Sequence, residues 1–259
     1  MMECMTLLGF GACAPDSEFR ASMPFPAGDI DRGAMPASLR RRASQAMLMA
    51  FSAADVACKR AGRPPSGLPS VFASVAGEIQ VTDRLCIELA KPDGVVSPTA
   101  FHNSVHNTTA GYWGIAHHCT RPSTALAAGQ DTFAMALLEA WCQLACHGGE
   151  LLLVCYDERW PAYLAPPMGA PAFASAMVLG AGSVAGGMAS IGRPQPGLST
   201  RLPDNLAALA AHQPAAAAIP LLAQVAAAGK NQEIPVSMAF GGWRVSLISY
   251  TFEVTDEEQ

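Results

Sequence analysis

The sequence predicts an α/β fold, a mixed sheet with helices packed on both of its faces. Three observations predict it. Short, continuously apolar runs around residues 6–12, 71–76, 124–128 and 151–156 have the length and composition of strands buried on both faces. Between them lie alanine- and leucine-rich stretches whose apolar residues recur at three- and four-residue spacing, the period of a helix. Two further apolar runs, 172–179 and 188–191, follow each other without a helix between them and read as a closing pair of strands joined by a glycine-rich turn over 180–187.

Taken in order, residues 4–13 form the first buried strand, closed by Pro15-Asp16, and residues 17–36, with their prolines and glycines, form a loop. Ser38 is the expected N-cap of an alanine- and methionine-rich helix running to about Arg60. A proline- and glycine-rich linker over 62–69 leads to the second strand, a turn at Gly77-Glu78, and a helix around 82–90 that ends before the Pro92-Asp93-Gly94 turn. After the block 97–116 comes a change of local grammar within a dozen residues. The apolar run 124–128 gives way, across Gly129-Gln130-Asp131, to a helix marked by Phe133, Leu137, Leu138, Trp141 and Leu144 and ended by His147-Gly148-Gly149. A residue on such a strand-to-helix corner sits at the positive end of the helix, where covalent enzymes place a Cys or Ser. This chain places Gln130 there, and an amide is not a nucleophile. Residues 150–158 form a central strand that ends in acids. The remainder divides from the first 192 residues as a tail, 193–259, with short alanine-rich helices over 205–212 and 219–228 and a final strand near 243–248.

Composition narrows the function. Hydrophobic residues make up 51% of the 259 and charged residues only 14%, so part of the surface is expected to face a partner. A net charge of -5 without a long basic tract speaks against nucleic acid. The eight cysteines are scattered, without metal-knuckle pairs, and read as reduced cytosolic thiols in a cytoplasmic protein. Glu3 stands where a signal peptide needs a basic segment, and no apolar run reaches the ~20 residues of a membrane span. His102 and His106, four apart, invite a metal reading, but Asn103 replaces the glutamate of the zinc protease motif and further ligands are lacking, so neither a metal nor another cofactor is expected. The plain alternative is that His106 and Asn107 hydrogen-bond nearby backbone. Arg40, Arg41 and Arg42 read either as a solvated helix end or as a landing site for an acidic partner.

A resemblance enters with Ser97-Pro98-Thr99-Ala100-Phe101, Ser104-Val105-His106-Asn107, Arg121-Pro122-Ser123 and the corner that follows. These phrases resemble the first half of a β-ketoacyl-acyl carrier protein synthase, and most of all the short ketosynthase-like chain length factors of aryl polyene and xanthomonadin-type pigment systems, over roughly residues 1–160. The resemblance implies a thiolase-like fold, mainly its N-terminal half, and puts the ketosynthase cysteine at Gln130. It implies a non-condensing subunit that forms a heterodimer with a full-length ketosynthase and serves an acyl carrier protein, which would meet Arg40, Arg41 and Arg42. It also places Phe101, Ser104, Val105, His106, Asn107 and Phe133 at the partner interface or the end of the acyl tunnel. Full ketosynthases carry a second half with two histidines and a lysine, on the order of a hundred residues more. The only echo of it is the glycine-rich stretch 237–248, where Arg244 stands in place of the family's asparagine. The rival reading is a small acyl-processing enzyme, either a malonyl decarboxylase using Gln130 or a thioesterase built on Cys119 or Cys155.

Overall fold

Strand β1, Met5–Cys13, is the axis of the sheet, and all nine of its residues are buried. The computed structural model describes residues 2–164, 170–197, 209, 213–227, 232–235 and 242–249. Within them follow β2 (Ser70–Ala73), β3 (Ser123–Leu126), β4 (Glu150–Asp157), β5 (Phe173–Ala181), β6 (Ala189–Ile191), β7 (Gln195–Pro196), β8 (Gln232–Pro235) and β9 (Trp243–Ser249). They make one mixed sheet in the order β3-β2-β4-β5-β1-β6-β9-β7, with β8 also on β9. β2 pairs in parallel with β3 and β4, whereas β5 runs antiparallel to both β4 and β1. Strands β1 to β4 therefore all point the same way, and their carboxyl ends share one edge.

The helices are α1 (Ser17–Ala21), α2 (Ala37–Arg40), α3 (Gln45–Ala61), α4 (Ile79–Leu89), α5 (Pro98–Asn103), α6 (Thr108–Ala116), α7 (Thr132–His147) and α8 (Ile219–Ala226). Two apolar cores lie on the two faces of the sheet. One gathers Phe133, Leu137 and Leu144 of α7 with Leu151 and Leu153 of β4 and the alanine-rich turn over Pro214–Ala218. The other gathers α3 and Trp113 of α6 against Leu152, Val154 and Tyr156. A bulge between Leu7 and Gly9 shifts the alternation of β1. Gly9 and Gly11 then face α3 so closely that a Cβ on Gly11 would lie 2.2 Å from the Ala53 carbonyl oxygen.

Four expectations need correction. The long helix begins at Gln45, because Ser44, and not Ser38, accepts a capping bond from the Met47 N–H; the arginines lie ahead of it, in α2 and the turn after it. The stretch 17–36 is not all loop, since Asp16 caps α1 and Asp31 caps a turn of 3-10 helix at Arg32–Ala34. β5 and β6 are not a hairpin: β1 lies between them and pairs with both. The connection crosses the end of β1, where the Thr6 hydroxyl donates to the Gly182 carbonyl and accepts from the Val184 N–H. β3 is not buried on both faces but is a half-exposed edge strand. The predicted helix over 205–212 and most of the glycine-rich stretch before 242 lie outside the described residues.

Candidate functional site

The corner after β3 is made by Gly129 and Thr132. Gly129 takes a left-handed φ of 55°, and the Thr132 hydroxyl accepts from the Ala128 N–H at 3.0 Å while donating to the Gly129 carbonyl at 2.7 Å. Gln130 stands exposed on this single turn, Gly129–Asp131, directly before α7. Thr132, which the sequence reading did not single out, arranges this turn through both bonds. The geometry offers the end of a sixteen-residue helix to whatever lies against Gln130, but the side chain there carries no nucleophile.

The cysteines do not replace it. Burial pushes the Cys13 and Cys58 thiols up to about 12 and the Cys155 thiol well above its ordinary value, so all three stay protonated. Cys119 donates weakly to the Leu68 carbonyl.

The second group of expected residues comes together on the turn between α5 and α6. Phe101 and Val105 are 64% and 44% exposed, Ser104 caps the end of α5, and exposed Asn107 begins α6. Beneath them the polar side chains point inward and are tied down. His106 donates from Nε2 to the Ser74 carbonyl at 2.8 Å, Thr108 donates to the His102 carbonyl, and Thr109 donates to Glu78 Oε1 at 2.8 Å. Asn103, buried at 4% exposure, donates to the Arg42 carbonyl at 2.6 Å and accepts from the Tyr112 hydroxyl at 3.1 Å. His102 and His106 lie on different segments, His102 beside Tyr112, so they do not share a helix face. Among the described residues no group of three or more potential ligands could hold a metal ion. Phe133 stands apart from this set, fully buried in the core under α7.

Ser74 connects the turn to the corner, because its N–H donates to the Leu126 carbonyl at the end of β3. Along the same edge a groove of about 600 Å³ runs between α6 and β3, lined by Asn107, Gly111, Trp113, His118, Arg121 and Ser123. Ile115 of α6 lines the groove and stands exposed, as do Ile87 and Leu89 of α4 and Val95 elsewhere on the surface.

Behind the turn lies a polar core that the sequence reading missed. Asp157 Oδ1 accepts from the Ser74 hydroxyl and the Val75 N–H, each at 2.8 Å, and Oδ2 accepts from the Ala215 N–H at 3.0 Å. Glu158 accepts from the Gln80 N–H at the start of α4. Burial lifts the Asp157 carboxyl to about 6 against the pull of those three donors. It lifts Glu158 to about 7, with the Gln80 N–H opposing and the neighbouring Glu78 adding to the rise. Glu78, 1% exposed, is also raised by burial, against the pull of Ser44 and Thr109. The available signal was a strand ending in two acids at the edge where helices begin.

The arginines sit on a short turn whose Leu39 and Ala43 rest against the second core. α2 has no side-chain cap and no buried residue. Arg40 donates to the Arg32 carbonyl at 2.7 Å, which brings Arg32 alongside, while Arg41 and Arg42 are exposed.

Residues 16–235 match the family model described as "Beta-ketoacyl synthase, N-terminal domain", well past the first 160 residues that carry the motifs. No curated protein sequence matches the chain. Among solved structures, the chain is similar to one of a ketosynthase (ApeO) in complex with its chain length factor (ApeC) from Xenorhabdus doucetiae, at 19% identity and a TM-score of 0.66, covering 95% of this chain and 99% of that one. It is similar to the ishigamide ketosynthase/chain length factor at 14% identity and a TM-score of 0.56, covering 80% and 70%. A β-ketoacyl synthase from Burkholderia phymatum gives 14% and 0.57, covering 88% and 72%. At these identities the likeness is one of fold, the thiolase-like α/β fold of ketosynthases.

Proposed function

From the premise that this chain belongs to the β-ketoacyl synthase family, whose N-terminal domain it matches over residues 16–235, we propose that it is a non-condensing subunit, a chain length factor that pairs with a full-length ketosynthase. The observation that carries the reading is Gln130. Condensation needs a thiolate to hold the growing acyl chain, and the residue on the corner between β3 and α7 is an uncharged amide. Burial keeps the Cys13, Cys58 and Cys155 thiols protonated, so none of these three replaces it.

Further support comes from the edge that the partner would cover. Among the described residues β3 is paired on one side only, and the groove beside it is lined by Asn107 and the exposed Ile115. In this reading Phe101, Ser104, Val105, His106 and Asn107 meet the ketosynthase where its acyl tunnel ends, and their bulk sets how long a chain fits. Arg41 and Arg42, joined by Arg32, offer cationic contacts to an acyl carrier protein. Two of the similar structures are named as pairs of a ketosynthase with a chain length factor, which is the assembly proposed for this chain.

Co-expression with a full-length ketosynthase of the same pathway, followed by sizing and mass measurement, tests the pairing. A one-to-one complex is expected. A stable homo-oligomer with no affinity for the ketosynthase would overturn it.

A further inference from the structure

We infer that Asn103 is a positioning residue that locks the arginine turn to the partner-facing turn, so that an acidic partner landing on the arginines is held in register with the face carrying Phe101 and Val105. This rests on the reading of Arg41 and Arg42 as the contact for an acidic carrier protein. The tie is a single side chain between segments 61 residues apart, donating at 2.6 Å to the carbonyl of Arg42 itself.

Leu39 and Ala43 of the arginine turn pack against the apolar core and Arg40 donates to the Arg32 carbonyl, while the Asn103 amide is what ties the turn to α5. Its own backbone supplies the Arg42 N–H to the Leu39 carbonyl and the Ala43 N–H to the Arg40 carbonyl, and α2 buries no residue. Without Asn103 the Arg42 carbonyl loses its recorded side-chain partner. At the other end, Asn103 is the last residue of α5, two places after Phe101 and two before Val105, so whatever fixes it fixes that face as well. Tyr112, itself 5% exposed in α6, donates to Oδ1 and thereby sets the amide with its nitrogen toward Arg42. The result is one body bearing two guanidinium groups beside an apolar surface. A partner with carboxylates reads the first, and the Asn103 amide joins it to the second.

Two changes separate this inference from the reading beneath it. Asn103→Asp keeps the acceptor for Tyr112 but removes the donor to Arg42. It is expected to weaken binding of the acyl carrier protein about three- to tenfold, with a smaller change in salt dependence than the double arginine change, because every arginine remains and one charge is added in place of two reversed. The double change Arg41→Glu with Arg42→Glu is expected to weaken binding and flatten its salt dependence. If Asn103→Asp binds the carrier as the wild type does while the arginine change weakens it, the positioning role is wrong and the carrier contact stands. If neither change matters, the carrier contact itself falls. Amide exchange on the wild-type complex gives an answer independent of any variant. Carrier binding is expected to slow exchange over residues 40–43 and over 101–105 together, and slowing at the arginines alone would overturn the inference.

Discussion

The Ser74 hydroxyl donates to the buried carboxylate of Asp157 at 2.8 Å, joining the ends of two parallel strands across 83 residues of chain. The same carboxylate holds the Val75 and Ala215 N–H groups, so one acid fastens the end of β2, the end of β4 and the start of the alanine-rich turn at Pro214–Ala218. Through Ser74 it also supports His106 and the end of β3.

Stability is expected to rise as pH falls from 8 to about 5.5. The Asp157 carboxyl stands at about 6 and Glu158 at about 7 in the fold, both raised by burial above their ordinary values. A raised carboxyl favours the fold when protonated, so its contribution is complete below the unfolded value near 4 and is lost as pH rises through 6 to 7. For Asp157 the difference is on the order of 2–3 kcal/mol. His117 works in the opposite sense, because burial lowers its pKa and protonation costs stability as pH falls. Thermal melting at a series of pH values checks the balance, and His117→Phe should steepen the rise.

Gly11→Ala should cost about 3 kcal/mol or prevent folding. The added methyl would meet the Ala53 carbonyl oxygen at 2.2 Å, and backbone of a buried helix has little room to retreat. Chemical denaturation measures it, with the exposed Gly67→Ala, which meets nothing within 4 Å, as the control.

Gln130→Cys should create a thiol with a pKa below about 8.5, because the corner precedes a helix N-terminus. Alkylation as a function of pH should show it reacting faster at neutral pH than the exposed Cys86, Cys142 and Cys146. The isolated variant should still perform no condensation.

Ser104→Phe should shorten the product made by the complex with the ketosynthase. Ser104 is half-buried between Phe101 and Val105 on the α5–α6 turn, and a ring there adds bulk to the face proposed to meet the partner. Mass spectrometry of the acyl products reads the change, and unaltered length would remove this turn from chain-length control.

Much of the fold was legible because it is local. The buried runs of β1 and β4, the helical spacing of α7 and the glycine at its end are each decided by neighbours in sequence. The corner at Gln130 was legible for the same reason. The errors concern pairings at a distance. Nothing near residues 172–191 announces that β1 inserts between β5 and β6, and nothing in the composition of 124–128 reveals that β3 has a neighbour on one side only. Ser38 and Ser44 are equally good caps on paper, and the choice fell to the one whose hydroxyl meets Met47. The polar core of Glu78, Asp157 and Glu158 joins residues about 80 apart, and Asn103 reaches 61 residues back, so only assembled coordinates reveal either.

The place of β1 between β5 and β6 has a consequence for how the chain is made. β1 meets its sheet neighbours β5 and β6 only after both are synthesised, and its Thr6 bonds to Gly182, 176 residues later. Until then the backbone contact of its carboxyl end with Gly28 is the earlier pairing open to this buried strand, and the sheet cannot close around it. Completion of this subunit is therefore a late event in translation, and ribosome-bound fragments ending before β5 are the species that a chaperone must shelter.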